Sequence, residues 1–213
     1  MTHAASLLPR ANRMSLPEAT GCHAIVLAAG AGSRFGGGKL LAPFRGRPLI
    51  YWSVAAALSS CVTSVTAVLG ARADDVAAAL APFADRRLSL VRCRHWEEGL
   101  SASLTDGLRT LPQGTRAVAI FLGDMPDLDP GLADRVLTEV VGGAPASYPE
   151  CEGLPGHPVA LSSKLFPLIE SLKGDQGARA VLAGQSGVIR VPTDDPGSIA
   201  DIDTRHDLKR LGP

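Results

Sequence analysis

The sequence of 213 residues has no excess charge of either sign, because 21 lysines and arginines balance 21 aspartates and glutamates. A general nucleic-acid or anionic-membrane binder normally has a basic face that shifts this total. The sequence also has no apolar run that approaches the ~20 residues of a membrane-spanning helix. We therefore predict a protein that uses neither nucleic acid nor a membrane as its partner.

Closely spaced cysteines are missing as well. The four cysteines, Cys22, Cys61, Cys93 and Cys151, form no Cys-x-x-Cys motif of the kind that metal and redox sites use. Reduced thiols are typical of a reducing compartment, so the sequence predicts a cytoplasmic protein.

The N-terminal part of the chain differs in character from the rest. Residues 1–21 contain no apolar core typical of a secretion signal, and we expect them to form a loose N-terminal extension. Met1 and Met14 both remain open as the true start. Residues 22–213 suit one well-buried domain, and two domains would be cramped.

Short apolar runs alternate along the chain with helical patterns. This alternation predicts βαβ units and an α/β fold, with a mostly parallel sheet covered by helices on both faces. The predicted strands span residues 24–28, 64–69, 88–92, 117–122, 145–148, 158–161 and 188–191. The predicted helices span residues 48–59, 73–83, 101–111, 131–141, 163–172, 178–183 and 205–211.

The most informative segment, residues 25–41, reads Ile-Val-Leu-Ala-Ala-Gly-Ala-Gly-Ser-Arg-Phe-Gly-Gly-Gly-Lys-Leu-Leu. An apolar strand runs here into a glycine loop that carries Arg34 and Lys39. Glycines let a backbone pass close to a ligand and point its N–H groups inward, and the two cations add positive charge. The loop therefore predicts a polyphosphate site, above all for a nucleoside triphosphate.

Two better-known glycine loops do not fit this segment. A Walker A loop needs a hydroxyl residue after its lysine, but Leu40 follows Lys39. A dinucleotide fingerprint fits Gly30 and Gly32 but has Phe35 in place of its third glycine. The remaining alternative is a plain strand–helix turn, which has no use for two cations beside five glycines.

Residues 27–36 together with Lys39 resemble the N-terminal signature of the MobA-like NTP transferases, which include the molybdenum-cofactor guanylyl- and cytidylyltransferases. The resemblance extends over residues 24–211 and implies a three-layer Rossmann-like nucleotidyltransferase fold for a single domain over 22–213. The Ala28-Ala29-Gly30 form resembles the cytidylyl branch, and Arg34 and Lys39 are implied to act in catalysis. The implied nucleotide contacts of this loop are Leu27, Ala28, Ala29, Gly30, Gly32, Ser33, Arg34 and Lys39.

Asp124 directly follows the apolar run 117–122 in the motif Gly-Asp-Met-Pro. A carboxylate at the end of a buried strand is costly unless it is paired or bound to a metal. Magnesium prefers one or two carboxylates together with substrate phosphate oxygens. The resemblance likewise implies a metal aspartate here. The alternative is an aspartate that caps the following turn, which Pro126 begins.

A second carboxylate comes from the tail, where residues 201–208 resemble the family motif Asp-Ile-Asp-Thr-Pro-Glu-Asp-Leu. In an extended segment Asp201 and Asp203 point the same way and Ile202 points the other way. We expect Asp203 to be the second Mg²⁺ ligand, with Asp201 in reserve. Helix capping by Asp203 or Thr204 is the alternative. Arg205 replaces the family's proline, which would loosen the start of the helix.

Three further motifs carry weaker signals. Gly99 and Ser103 match the family pattern near the nucleotide base, although Ser103 could equally cap a helix. Gly-His-Pro-Val around His157 and Gly-Asp-Gln-Gly-Ala-Arg around Asp175 and Arg179 resemble the acceptor side of the cytidylyl branch. A lone histidine is more often structural, and Asp175 could cap the helix that holds Arg179. The fork of Arg179 would suit a substrate phosphate.

Together these motifs predict transfer of CMP from CTP to molybdenum-bound molybdopterin, with Mg²⁺ as cofactor and pyrophosphate as the second product. The resemblance also implies transient contact with molybdenum hydroxylase apo-enzymes or their chaperones. The alternatives are the same chemistry with GTP or another phosphorylated acceptor such as a sugar phosphate, a dinucleotide-dependent oxidoreductase, and a non-catalytic molybdenum cofactor carrier.

Overall fold

The computed structural model describes residues 19–211 and has an α/β architecture. The strands are β1 (Cys22–Ala28), β2 (Pro43–Phe44), β3 (Arg47–Pro48), β4 (Ser64–Leu69), β5 (Leu88–Arg92), β6 (Ala117–Leu122), β7 (Ala146–Cys151), β8 (Leu154–Pro155), β9 (Val159–Ser162) and β10 (Ile189–Pro192). The α-helices are α1 (Leu49–Ser59), α2 (Ala73–Leu80), α3 (Leu100–Arg109), α4 (Pro130–Val141), α5 (Phe166–Ile169) and α6 (Arg205–Leu211). Short 3-10 helices span Ser33–Phe35, Lys39–Leu41, Trp96–Glu98, Ser163–Leu165, Ala178–Leu182 and Pro196–Ser198.

The central sheet is mostly parallel, as predicted. Its strands follow the order β10-β7-β9-β6-β1-β4-β5, and β8 pairs with β7 as a hairpin. The strands β1, β4, β5 and β6 are mutually parallel, whereas β9 runs antiparallel to both β6 and β7. The strands β2 and β3 form a separate antiparallel pair.

Helices cover both faces of the sheet and so confirm the three-layer arrangement. Along β1, Ala24 and Val26 pack into the apolar core that includes α1, α2 and α4. Ile25 and Leu27 alternate to the opposite core, which includes residues of α3 and α5. Because both faces are buried, residues 24–28 of this strand form a continuous apolar run with no polar alternation.

Several predicted boundaries were wrong for identifiable reasons. The helix predicted over 163–172 is a 3-10 turn followed by the four-residue α5, because Pro167 has no N–H to continue a helix that began at 163. Pro82 likewise has no N–H for another turn of α2, which ends at Leu80 and not at 83. Pro48 ends β3 in an extended conformation and lies outside α1, and the segment predicted as a helix over 178–183 is a 3-10 helix.

The short strands β2, β3 and β8 were missed because two residues cannot show an alternating pattern. Of the predicted N-terminal extension, residues 1–18 lie outside the described residues. Ala19 is buried, and its carbonyl accepts a hydrogen bond of 2.8 Å from the N–H of Cys22. Within 19–211 no helix is long and apolar enough to cross a membrane.

Candidate active site

The topology brings the glycine loop and Asp124 to one place. The chain leaves β1 for β4 and β5 on one side and returns to β6 on the other, so the carboxyl ends of β1 and β6 flank a topological switch point. In open α/β sheets ligands bind in this crevice. Leu27 is paired with Leu122, and the N–H of Gly123 donates to the Leu27 carbonyl at 2.9 Å. The loop after β1 and the motif after β6 therefore begin side by side.

The glycine loop folds back on itself as two 3-10 turns, Ser33–Phe35 and Lys39–Leu41. Gly32 precedes the first turn with a φ of 65°, and a Cβ atom there would lie 2.8 Å from the Cβ of Lys39. Only glycine allows the loop to close this tightly over the lysine. Phe35, which stands where a dinucleotide fingerprint needs glycine, is buried and fixes the loop in an apolar cluster with Phe44.

Lys39 joins the predicted metal ligands. Its Nζ atom lies 2.6 Å from Oδ2 of Asp124 and 3.0 Å from Oδ1 of Asp203. The NH1 atom of Arg34 donates to Oδ2 of Asp203 at 2.5 Å. Lys39 is mostly buried, whereas the Arg34 side chain is 79% exposed. The site therefore has one inner and one outer cation around the same pair of carboxylates.

The electrostatics of this cluster favour its charged forms. Burial alone would lower the pKa of Lys39, but the charges and hydrogen bonds of Asp124 and Asp203 outweigh burial and raise the pKa. The hydrogen bond from Lys39, followed by its charge and that of Arg34, lowers the pKa of Asp203. Lys39 is thus an ammonium group at neutral pH, held by two carboxylates.

The tail reaches the site because Ile202 anchors it. The N–H of Ile202 donates to the Asp124 carbonyl at 3.1 Å, and its side chain is fully buried in the cluster that contains Phe35. Asp201 and Asp203, on the other side, remain accessible, as period-two alternation predicts. The pKa of Asp201 is raised by burial and by the charges of Asp124 and Asp203.

Thr204, and not Asp203, caps α6. Its N–H and Oγ1 donate to Oδ2 of Asp207 at 2.8 and 2.7 Å, and the N–H of Asp207 donates back to Oγ1. Arg205, which replaces the family's proline, begins the helix and places its guanidinium 5.0 Å from the centre of the Phe35 ring. Asp203 is therefore left to the cations of the glycine loop.

The chemistry of these oxygens fits a divalent cation. Oδ1 of Asp124 is buried and has no hydrogen-bond partner in the structure, which is costly for a carboxylate oxygen unless a ligand supplies the partner. Carboxylate oxygens are the ligands that Mg²⁺ prefers. Within residues 19–211 no group of three or more His, Cys, Asp or Glu side chains is placed to hold a metal. Asp124 and Asp203 would therefore hold a cation jointly with substrate oxygens.

A cavity of about 320 Å³ lies beside Asp124. It brings the start of the glycine loop together with the segment around α3. Trp96, Leu100 and Leu122 were not predicted to take part, because apolar side chains give no chemical signal in a sequence. The cavity is lined by Leu27, Ala29, Gly30, Ala31, Trp96, Glu97, Gly99, Leu100, Ser103, Leu122, Asp124 and Asp175.

Asp175 lies in a different part of the site from the one predicted for it. Asp175 was predicted on the acceptor side but lines the cavity with Gly99 and Ser103. A Cβ atom on Gly99 would lie 2.4 Å from the carbonyl carbon of Gly174, and the N–H of Ser101 donates to the Gly174 carbonyl at 3.0 Å. These contacts hold the loop of Asp175 against α3.

Five of the predicted nucleotide residues do not line the cavity itself: Ala28, Gly32, Ser33, Arg34 and Lys39. Ala28 is buried in the core on the opposite face of the sheet. Gly32 and Ser33 belong to the loop that carries Arg34 and Lys39.

His157 and Arg179 make contacts within the fold. The Nδ1 atom of His157 lies 3.4 Å from the Ile120 carbonyl, and the NH2 atom of Arg179 donates to the Pro155 carbonyl at 2.7 Å. Burial and the nearby charge of Arg179 lower the pKa of His157 to about 3. His157 is therefore a neutral, buried histidine, whereas Arg179 is exposed.

The fold and site define a nucleotidyltransferase, and the comparison with known families agrees. Residues 24–189 match the MobA-like NTP transferase domain, so the chain belongs to this family. The resemblance of the glycine loop is thereby confirmed, as is the class of enzyme.

Curated relatives span most of the chain. The chain is 34% identical over 189 residues to the purine catabolism protein PucB of Bacillus subtilis, covering 84% of this chain and 90% of the relative. It is 30% identical over 207 residues to nicotine blue oxidoreductase of Paenarthrobacter nicotinovorans, covering 92% and 97%. A 2-C-methyl-D-erythritol 4-phosphate cytidylyltransferase of Synechococcus is 36% identical over 127 residues, covering 57% and 54%.

Solved structures share the fold. The structure of Rv0371c from Mycobacterium tuberculosis superposes with a TM-score of 0.76 at 25% identity, covering 89% of this chain and 97% of that one. A structure of Rv0371c in complex with manganese has a TM-score of 0.71 at 24% identity, with the same coverage.

The buried, neutral His157 makes the stability of the protein depend on pH. Between pH 6.5 and about 3 the unfolded chain takes up a proton that the folded protein does not, so stability present above pH 6.5 is lost as the pH falls. In urea unfolding, the advantage of the wild type over His157→Gln should shrink by about 1–2 kcal/mol between pH 7 and pH 5. The control is His206→Gln, which removes an exposed histidine instead of the buried one. A pH-independent difference for His157→Gln would contradict the assignment.

Proposed function

We propose that this protein transfers CMP from CTP to molybdenum-bound molybdopterin and releases pyrophosphate. The observation that carries the proposal is Lys39 held between Asp124 and Asp203 at the switch point, with Oδ1 of Asp124 buried and unpartnered. This arrangement supplies positive charge for phosphates and carboxylate oxygen for a cation in one crevice. The adjoining cavity offers space for a base and ribose.

The reaction needs little covalent chemistry from the protein. A terminal phosphate oxygen of the acceptor forms a bond to the α-phosphorus of CTP, and the bond from that phosphorus to the bridging oxygen breaks. Pyrophosphate leaves with the bonding electrons. The acceptor phosphate is already an anionic nucleophile, so catalysis rests on positioning and charge stabilisation. A bound Mg²⁺ would supply part of that charge stabilisation at the phosphates.

Arg34 and Lys39 would exchange partners when the triphosphate binds. Both oxygens of Asp203 accept hydrogen bonds from these two cations in the structure. Phosphate oxygens entering the glycine loop compete for the same donors. Lys39 and Arg34 would then neutralise charge that passes to pyrophosphate, and Asp203 would become available to a cation beside Asp124.

The acceptor would approach from the side of His157 and Arg179. The NH2 atom of Arg179 is oriented by the Pro155 carbonyl, and the side chain is exposed, so further N–H donors of its fork can bind a phosphate. Asp175 lines the cavity, four residues before Arg179 in the sequence, and would contact either substrate. Contact with molybdenum hydroxylase apo-enzymes or their chaperones remains a prediction of the family resemblance.

Ala29 supports the choice of CTP. It lines the cavity and is packed tightly, since a Cβ atom on Gly70 would lie 2.5 Å from the Ala29 carbonyl oxygen and 2.7 Å from its Cβ. The Ala29 methyl, packed against Gly70, would narrow the space for a base and so would penalise a purine more than a pyrimidine. One relative's name also describes a cytidylyltransferase. GTP or another phosphorylated acceptor remains the alternative within the same chemistry.

The name of one relative describes an oxidoreductase, so a redox reaction needs its own test. The glycine loop departs from the dinucleotide fingerprint at Phe35, where the fingerprint needs a glycine. The Phe35 ring is buried in an apolar cluster, and a glycine there would leave a cavity in that cluster. A nicotinamide or flavin absorbance in the purified protein would support that alternative. Tight molybdopterin binding without pyrophosphate release would support a carrier.

Replacing Asp124 tests the transfer reaction. With α-labelled CTP, Mg²⁺ and molybdopterin, the wild type should release pyrophosphate and incorporate label in equal amounts. Asp124→Asn should lower kcat at least a hundredfold, about 2.7 kcal/mol of barrier, because it removes a carboxylate charge from the cation site. The control is Asp127→Asn, since Asp127 pairs with Arg45 and does not line the cavity. If the folded Asp124→Asn variant loses less than tenfold in kcat, Asp124 only caps the following turn and does not act in catalysis.

Base choice is tested by competition between CTP and GTP. The product dinucleotide should contain mainly cytosine, with a preference of roughly ten- to two-hundredfold in kcat/KM for a misfit of methyl size. Ala29→Gly should narrow that preference, because it removes the methyl that restricts the cavity. Equal incorporation by the wild type would defeat the cytidylyl assignment and leave nucleotidyl transfer intact. An unchanged ratio in Ala29→Gly would move base recognition to residues 99–107.

A further inference from the structure

The charges of Arg34 and Lys39, the two cations predicted from the sequence, are neutralised by nearby carboxylates. Lys39 and Arg34 are paired with Asp124 and Asp203, so these four side chains contribute no net charge. A nucleoside triphosphate remains anionic even with one divalent cation, because its phosphates carry several negative charges at neutral pH. A site that binds this anion tightly is expected to hold a further cation near the glycine loop.

Arg72 lies where such a cation is needed. A Cβ atom on Gly38 would be 2.7 Å from the NH1 atom of Arg72, so the guanidinium rests directly on the glycine loop. Arg72 and Gly38 line a shallow depression on the surface, and Lys39, Gly30 and Ala31 line it too. Gly30 and Ala31 also line the nucleotide cavity, so this depression continues from the cavity along the loop. A phosphate chain leaving the cavity across Gly30 would reach Arg72.

The backbone holds Arg72 in register with the loop. It follows β4, the strand next to β1, and the N–H of Ala71 donates to the Ala29 carbonyl at 2.9 Å. Gly70 packs on Ala29 so closely that a Cβ atom at Gly70 would lie 2.5 Å from that carbonyl oxygen. Arg72 itself has a φ of 55°, an unusual conformation for a bulky residue, which turns the chain sharply into α2.

The Arg72 guanidinium is held in a fixed orientation, and part of it is accessible to a ligand. Its Nε atom donates to Oδ2 of Asp75 at 2.9 Å, which fixes the plane of the guanidinium. The NH1 group faces Gly38, and the side chain is 56% exposed. A planar fork with free N–H groups suits the oxygens of a phosphate.

We infer that Arg72 is a third cationic residue of the nucleotide site and binds the β- and γ-phosphates of the substrate from the β4 side of the glycine loop. The inference rests on the proposed function for the kind of ligand. Arg72 would confer a preference for triphosphates over monophosphates, because a nucleoside monophosphate held in the cavity would not extend across Gly30.

Calorimetric titration of four proteins tests this role. The proteins are the wild type, Arg72→Ala, Arg72→Lys and Arg92→Ala; the ligands are CTP, GTP and tripolyphosphate with Mg²⁺, and CMP. Arg92, at the end of β5, is the matched control. Its exposed side chain pairs with Asp74 of α2, the helix that also carries Asp75, and it lines neither the cavity nor the depression.

Arg72→Ala should raise the Kd of CTP and of tripolyphosphate at least tenfold and change the Kd of CMP less than twofold. Arg72→Lys should restore part of the loss, and Arg92→Ala should leave every Kd within twofold. An equal loss for the triphosphates and CMP, or no loss beyond that of Arg92→Ala for any of CTP, GTP and tripolyphosphate, would overturn the inference.

The same titrations separate this inference from the proposed function. If Arg72→Ala weakens triphosphate binding as expected but the wild type transfers no CMP to molybdopterin, the proposed reaction fails and the role of Arg72 stands. If GTP and not CTP shows the effect, only the choice of base fails. If the wild type binds neither nucleoside triphosphates nor tripolyphosphate, both proposals are overturned.

Discussion

The ion pairs of Lys39 hold together three distant parts of the chain. The lysine is 85 positions from Asp124 and 164 positions from Asp203, and its Nζ atom contacts both carboxylates. Removing charges from water is expensive, and a half-buried ion pair is weak evidence for a purely stabilising role. The arrangement is better explained as a site that keeps its charges paired until an anion and a cation replace the partners.

Apolar packing gives these charges their positions. Ile202 is fully buried with Phe35, Phe44 and Leu49, so the tail, the glycine loop, the β2–β3 pair and the start of α1 share one small core. Phe35 anchors the backbone next to Arg34, and Ile202 anchors the backbone next to Asp203. The geometry of the charged cluster therefore depends on side chains that touch no substrate.

Much of this arrangement was predictable because it is local in the sequence. The strands 64–69, 88–92 and 117–122 have the predicted bounds. The runs 64–69 and 117–122 are largely buried and give a clear signal, whereas 88–92 forms a mostly exposed edge strand. The pairing of the glycine loop with Asp124 followed from the rule that strand ends share an edge. The helix at 163–172 failed because Pro167 outweighed the helical pattern.

Contacts between distant segments could not be predicted in the same way. No pattern indicated that Asp175 lines the cavity with Gly99, because that contact depends on a close approach of Gly99 to Gly174. Arg72 carried no signal either, since an arginine before an acidic helix start reads as an ordinary surface ion pair. Only the fold shows that its guanidinium rests on Gly38.

The exchange of partners at Asp124 and Asp203 can be measured through the affinity for Mn²⁺, a spectroscopic substitute for Mg²⁺. Without nucleotide, Lys39 and Arg34 occupy the oxygens of Asp203, so Mn²⁺ should bind weakly. Electron paramagnetic resonance titrations of free Mn²⁺ should show binding to the protein–CTP complex at least tenfold tighter than to the protein or to CTP alone. By linkage, Mn²⁺ should tighten CTP binding by the same factor. Equal Mn²⁺ affinity with and without CTP would contradict the account.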